Sequence, residues 1–343
     1  MAESEREQYG GQAVVEGVMM RSPRFFAVAC RRETDGRMVV RVENVETALR
    51  GLRWMRKPLL RGSLALIDSL MMGYKALAYS AGVQIEAEAE KERAEGDEKK
   101  LSKEEEQLKD DASKPINNIA IGTTTLIGMI LAFALFWGLP TLVSQYIQHA
   151  AHWPAHLSWR RGLALNLVDS IIQIALFLGY IGVISRMDRV RRIFQYHGAE
   201  HKAINTLEAC RDLTVENARE ASRIHPRCGT NFIFIVIVVH FLVVALFGRP
   251  DPLLRVVIRL AVLPVVAGIA FEILKCAGSH RDKRWAQAMI APGLALQYLT
   301  TRVPDDSQLE VALASLKAVW GKEHQPAEPP VAPDAEEPAA AVA

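Results

Sequence analysis

Cysteine is scarce in this chain, with four residues among 343. These are Cys30, Cys210, Cys228 and Cys276. So few thiols exclude a disulfide-rich scaffold, and we expect no pairing, because all four fall on the predicted cytoplasmic side of a membrane or at its boundary. The formal net charge is only +2, and no basic groove with interleaved aromatic residues is present. Nucleic acid is therefore not an expected partner.

Motifs for binding phosphate or dinucleotides are also missing. The stretch GGQAVVEGVMMRSPR lacks the glycine and lysine spacing of a P-loop, and no dinucleotide fingerprint follows a strand. It is more typical of a tight turn into a β-hairpin, with Glu16 and Arg21 bonded locally. The alternative places Glu16 or Arg21 over a metal site as an acid, a base or an anion clamp. The polar start MAESEREQYGG has no basic region before an apolar core, so we expect no cleaved signal peptide.

Apolar residues are abundant, at 50% of the chain. A bilayer-spanning helix needs about 20 residues. Four apolar runs come close to this length or exceed it: 116–138, 163–185, 230–248 and 253–274. We therefore predict a mainly α-helical, polytopic protein of the inner (plasma) membrane, with about four transmembrane helices.

Basic residues predict the orientation of these spans, because short cytoplasmic loops are enriched in lysine and arginine. Two segments carry the excess, one between the second and third spans and one after the fourth. Their basic residues are Arg186, Arg189, Arg191, Arg192, Lys202, Arg211, Arg219, Arg223 and Arg227, then Lys275, Arg281, Lys283 and Arg284. Both segments and both termini are thus predicted to be cytoplasmic, with membrane lipids as partners of the basic side chains. The oligomeric state stays open.

The pattern predicts five segments. They are 1–45, β-rich with a hairpin; 46–84, amphipathic and helical; 85–115, a charged linker; 116–322, the membrane domain; and 323–343, a disordered tail rich in proline and alanine. The hairpin turn is expected at Asp35 and Gly36. Entry of residues 62–82 into the bilayer is an alternative to a position at its surface. The membrane domain includes a cytoplasmic loop, 186–229, and a C-terminal amphipathic helix.

The stretch QYHGAEHKAIN contains the pattern H-x-x-E-H. His197 and His201 are four residues apart, so on a helix they point the same way, with Glu200 beside them. In inverted zincins this order supplies two zinc ligands and a catalytic glutamate that acts as general base. The same five residues also occur on ordinary helix surfaces that face lipid headgroups, where Glu200 would pair with a nearby basic side chain.

Three further residues are candidates to complete a metal shell. His225 and Cys228 are three apart in RIHPRCGTNF, and imidazole and thiolate both suit zinc. Glu272 lies near the cytoplasmic end of the fourth span, and a downstream glutamate is the third ligand of inverted zincins. The predicted ligands of a divalent metal, with zinc as the expected ion, are therefore His197, His201, His225, Cys228 and Glu272. Four filled ligand positions make a structural site, whereas an open one permits catalysis.

Polar residues inside the apolar runs form a second group of candidates. Asp169, Gln173 and His240 are costly in lipid and should face the interior of the helix bundle. Asp169 and Arg259 lie at similar depths from the outer ends of their spans and are predicted to pair. This pair either holds two helices together or belongs to a polar path for a proton or a small solute.

Several stretches together resemble one family. In order along the chain, they are GGQAVVEGVMMRSP, YHGAEHKAIN, LTVENAREASRIHPRCGTNF and APGLALQYLTTRVPDDSQLEVAL. They are similar to the DUF1385 family of bacterial membrane proteins. The resemblance covers residues 9–320 and leaves out the charged linker and the tail. The resemblance implies no established reaction. Members are often described as candidate metal-dependent enzymes, a description that the H-x-x-E-H pattern fits.

Two functions follow from these observations. The first is a zinc-type membrane enzyme, a hydrolase with Glu200 as base, acting on a membrane-associated or lipid-linked substrate. The alternative is a non-catalytic membrane scaffold, or a transporter of ions or small solutes, in which any metal is structural. The transporter gives Asp169 and His240 more importance than Glu200.

Overall fold

A computed structural model of the protein describes residues 9–45, 57, 60–94, 123, 126–154, 158–280 and 283–325. Its strands are β1 (Gly10–Val14), β2 (Gly17–Arg21), β3 (Phe25–Arg31) and β4 (Met38–Asn44). Its helices are α1 (Leu60–Ala94), α2 (Leu126–Ala150), α3 (Trp159–Ile184), α4 (Asp188–Glu208), α5 (Val215–Glu220), α6 (Gly229–Ala245), α7 (Pro252–Ala261), α8 (Leu263–Ser279), α9 (Arg284–Thr300) and α10 (Asp306–Glu323). A π-helical stretch, Ala134–Gly138, lies within α2.

The four strands form one antiparallel sheet in the order β1-β2-β3-β4. The turn between β3 and β4 includes Asp35 and Gly36, as predicted, and Gly36 has a positive φ of 71°. The stretch GGQAVVEGVMMRSPR, predicted as a tight turn that leads into the hairpin, instead forms the strands β1 and β2. The difference arises because β2 is buried on both faces, so its sequence GVMMR shows no alternation of apolar and polar residues.

Both faces of this sheet are covered by helices. Side chains of one face, including Val18, Met20 and Ala27, share a core with α4 and α10. Side chains of the other face, including Met19 and Val28, pack against α1. The alternation of neighbouring residues between the two cores follows from the two-residue period of a strand. The C-terminal helix, which the sequence assigned to the membrane domain, therefore packs on the N-terminal sheet.

Helix α1 continues well beyond the predicted amphipathic segment. Its 35 residues run through the start of the predicted charged linker to Ala94. Its N-terminal end packs on α8 at Gly62. A Cβ atom at Gly62 would lie 2.9 Å from the Cα atom of Gly268. The other end covers the sheet, where the Ser80 hydroxyl accepts from the Val15 N–H. Residues 46–56 and 95–115, and the tail from 326, lie outside the described residues.

Three helical segments are long and apolar enough to cross a membrane. They are Leu126–Ala150, Trp159–Ile184 and Leu254–Ser279, the last formed by α7 and α8. The apolar helix α6 has 17 residues, or about 25 Å at 1.5 Å per residue. Of the predicted first span, 116–138, residues 116–122, 124 and 125 lie outside the described residues, and the helix runs on to Ala150. Many apolar side chains of α2 and α3 are exposed, which is compatible with a surface that contacts lipid.

Gly198 of α4 tests how closely this helix is packed. A Cβ atom there would clash with the Arg302 carbonyl oxygen, which belongs to the backbone and cannot rotate away. We expect Gly198→Ala to lower the free energy of unfolding by about 1–3 kcal/mol, measured by thermal unfolding in detergent. Gly321→Ala in α10 is the control, because a Cβ atom added there would have open space within 4 Å. Equal effects of the two substitutions would contradict the packing argument.

Candidate metal centre

The buried face of helix α4 determines where its candidate site residues lie. Tyr196, Ala199 and Ala203 are buried in the core shared with the sheet and α10. Their spacing of three and four residues places them on one face of the helix. The intervening His197, Glu200 and His201 are therefore held on an adjoining face, and burial of His201 leaves it only 1% exposed.

Backbone carbonyls orient both imidazoles. His197 Nδ1 lies 3.0 Å from the Thr300 carbonyl oxygen, and His201 Nδ1 lies 2.6 Å from that of Arg223. Because a carbonyl only accepts, each Nδ1 carries a proton, and in the neutral imidazole this leaves the lone pair on Nε2. The two rings are 4.5 Å apart between centres. This is the arrangement of histidines that bind a metal through Nε2.

Cys228 completes a three-residue cluster. Its Sγ lies 3.3 Å from His197 Nε2, and one ligand atom each from His197, His201 and Cys228 lie within 4.8 Å of one another. Cys228 is the N-cap residue of α6, and its sulfur accepts hydrogen bonds from the Thr230 N–H and hydroxyl. In the described part of the chain, His201 Nε2 has no hydrogen-bond partner. Two imidazoles and a thiol can hold a divalent metal ion such as zinc.

Glu200 lies against this cluster and under strand β1. One carboxylate oxygen is 3.6 Å from His201 Nε2 and 3.9 Å from His197 Nε2. Burial raises the pKa of Glu200 above its usual value, while the neighbouring His197 and the Gly11 N–H, which donates to the carboxylate, oppose that rise. A Cβ atom at Gly11 would approach Glu200 Cγ to 2.7 Å. Glycine therefore lets β1 close over the carboxylate.

His225 is near the cluster but is held by other residues. Its ring centre lies 5.7 Å from that of His201, while its Nε2 lies 3.0 Å from a Glu208 carboxylate oxygen. The buried Gln297 side chain accepts from its N–H and donates to its carbonyl oxygen, both at 2.8 Å. The structure thus uses His225 to anchor the loop that carries Cys228.

Glu272 is not brought to the cluster. Its two carboxylate oxygens accept from Nε and Nη2 of Arg61, each at 2.5 Å. The physical reason is the packing of α1 on α8, which brings Arg61 to the helix face that carries Glu272. A bidentate arginine–carboxylate pair is a strong, geometrically specific contact, so this glutamate links two helices.

Glu16 bonds to a distant helix and not to its sequence neighbours. It occupies the β1–β2 turn with a positive φ of 47°. Its carboxylate accepts from Arg192 Nε at 2.5 Å and from the Tyr196 hydroxyl at 3.2 Å. The prediction of local bonding was therefore wrong for Glu16, because the sheet packs directly on α4.

Residues that orient the site were missed in the sequence. They are Gly11, Arg223, Thr230, Gln297 and Thr300. Arg223 and Thr300 act through a backbone carbonyl and Gly11 through a backbone N–H, so their side chains carry no signal of the role. All five lie within the stretches that carry the family resemblance, which was the available signal.

A second polar cluster lies among the apolar helices. The predicted pair is confirmed, with Arg259 Nη2 2.9 Å from an Asp169 carboxylate oxygen. Arg249 also approaches this oxygen, at 3.5 Å. Together with Gln173 and His240, Asp169 and Arg259 line a small cavity. The pair therefore bridges α3 and α7.

The fold and site define a mainly helical protein, with helices able to span a membrane and a His-His-Cys cluster that can hold a metal ion. The chain belongs to the DUF1385 family, described as a protein of unknown function, whose model matches residues 57–322. It is 36% identical over 313 residues to the uncharacterized protein YqhQ of Bacillus subtilis (strain 168), a match that covers 90% of each chain. No solved structure matches the chain.

Gln297 tests the anchoring of the Cys228 loop. In Gln297→Ala the buried His225 N–H and carbonyl lose their partners, and an unsatisfied buried group costs about 1–3 kcal/mol. We expect the melting temperature in detergent to fall measurably. Gln148→Ala is the control, because Gln148 donates a bond in an exposed position. A Gln297 variant as stable as the control would show that the loop is held in another way.

Proposed function

We propose that the protein is a metal-dependent membrane hydrolase, with a zinc-type ion bound by His197, His201 and Cys228 and with Glu200 as general base. The observation that carries the proposal is the orientation of the two imidazoles. Their Nδ1 atoms are engaged by carbonyls of Thr300 and Arg223, which directs both Nε2 lone pairs toward Cys228 and Glu200.

Charge supports a cation at this position. The Glu200 carboxylate is buried, and Cys228 binds a metal as the thiolate. The nearby Lys202 ammonium donates to the carbonyls of Arg219 and Ala221, and Arg192 bonds Glu16, so neither neutralises Glu200. Buried charges without a partner are costly. A divalent ion would offset both negative charges, and it would supply Lewis acidity to a water held at the site.

Catalysis is favoured over a purely structural metal by the number of ligands and by Glu200. Catalytic zinc sites have three protein ligands whereas structural sites have four, and this cluster offers three. Glu200 lies within 4 Å of both imidazole Nε2 atoms, so it would stand beside an ion held there and would act as general base. Burial raises the pKa of Glu200, which makes it a stronger base.

The substrate class is inferred from the position of the site next to the apolar helices α3 and α6. Helix α4 begins four residues after α3 ends, and Cys228 directly precedes α6. In a topology of four spans that includes α6, with both termini in the cytoplasm, the site lies at the cytoplasmic edge of the inner membrane. A membrane-associated or lipid-linked substrate can reach such a site without leaving the bilayer surface.

Metal content tests the site itself. We expect about one zinc or similar ion per chain in detergent-purified protein, and its loss in the double variant His197→Ala with His201→Ala, because two of three ligands are removed. Elemental analysis makes the measurement, and His280→Ala, an exposed histidine outside the cluster, is the control. Absence of metal in protein purified without chelator and exposed to zinc would refute the proposal.

The variant Glu200→Gln distinguishes the enzyme from the scaffold and from the transporter. The variant keeps a similar shape but cannot accept a proton, so we expect it to retain metal and to lose function by about 100-fold or more. A complementation assay can measure function before the substrate is known. Full complementation by Glu200→Gln would favour a scaffold, and a greater requirement for Asp169 and His240 than for Glu200 would favour a transporter.

A further inference from the structure

A cationic cavity lies where the membrane-type helices meet the helix that carries the site. It has a volume of about 340 Å³ and is lined by Ser185, Arg186, Arg191 and Arg302. No carboxylate is among its lining residues. In the described ranges of the chain, none of the three arginines forms an ion pair. Three like charges around one cavity repel one another, and a bound anion would reduce that repulsion.

Hydrogen bonds hold the backbone around this cavity in place. Ser185 follows the last residue of α3 and is buried. Arg191 lies in the first turn of α4, where its N–H donates to the Met187 carbonyl. Arg302 follows α9, and its N–H donates to the Phe194 carbonyl at 2.8 Å. Three separate parts of the chain, the end of α3, the start of α4 and the segment after α9, thus contribute arginines to the lining of one cavity.

The chain on either side of Ser185 and Arg186 carries exposed apolar side chains. Tyr180, Val183 and Met187 are 50%, 63% and 57% exposed. Tyr180 and Val183 belong to a helix long and apolar enough to span a membrane. An apolar helix that ends at a cavity lined by arginines matches a molecule with an acyl part and an anionic head.

We propose that the cavity formed by Ser185, Arg186, Arg191 and Arg302 binds the phosphate headgroup of an acidic membrane lipid. Guanidinium groups bind phosphate oxygens through paired N–H donors. The adjoining apolar surface selects a lipid over free phosphate, because the acyl chains stay in the bilayer while the head enters the cavity. The binding requires no metal, so its failure and the failure of the metal centre are separate results.

The test measures lipid binding by the full chain in a neutral detergent, with native mass spectrometry as the readout. The probes are a short-chain phosphatidylglycerol, the matching zwitterionic phosphatidylcholine, and inorganic phosphate. We expect phosphatidylglycerol to bind most tightly. Arg191→Gln should weaken it about fivefold, since each basic residue near a lipid surface contributes that order of affinity. The double variant with Arg302→Gln should weaken it further.

Arg189→Gln is the matched control. Arg189 is an exposed arginine two positions before Arg191 on the same helix, and it does not line the cavity. Equal weakening by both substitutions would overturn the proposal, because attraction would then come from the general basic surface. Inorganic phosphate binding as tightly as the lipid, with the same dependence on Arg191, would also overturn it in favour of a soluble phosphate ligand. Unchanged melting temperatures without lipid confirm that the variants fold.

Discussion

Burial of the Glu200 carboxylate beside two imidazoles is the constraint on which the candidate site depends. A carboxylate removed from water is costly unless hydrogen bonds or a cation compensate for it. Strand β1 supplies one hydrogen bond, from the Gly11 N–H, and it can approach only because glycine has no side chain. The two histidines lie within 4 Å on the other side. The sheet is therefore part of the site, since it covers the group that the metal would stabilise.

Helix α4 is enclosed by separate parts of the chain, which contact it along its length. The sheet and α10 bury one side, the segment after α9 approaches it at Gly198, and the loop before α6 brings Arg223 and Cys228 to the histidines. A site built on a packed helix keeps its ligands in place more precisely than one built on a loop. The end of α9 and the segment after it carry Thr300, which orients His197, and Arg302, which lines the cationic cavity.

Some of this arrangement could be read directly from residue spacing. The i, i+4 spacing of His197 and His201 placed them on one helical face, and ligand chemistry singled out Cys228. The depth of Asp169 and Arg259 in their apolar runs was enough to pair them. Glu272 was selected on the same kind of reasoning about depth, but its carboxylate bonds Arg61. The depth of a residue along its apolar run selects every residue at the same height in the bilayer. It does not determine which of these residues face each other.

The sequence by itself determined the apolar helices, the β-hairpin turn and the helical H-x-x-E-H pattern, because each depends on periodicity or on residues within a few positions. Only the tertiary structure decided that α1 covers α8 and the sheet, that β2 is buried on both faces, and that Glu16 bonds Arg192. It also decided which carbonyls orient the two histidines. The physical reason is that backbone carbonyls and long-range packing are available to every residue type, so local sequence carries no mark of them until the chain is folded.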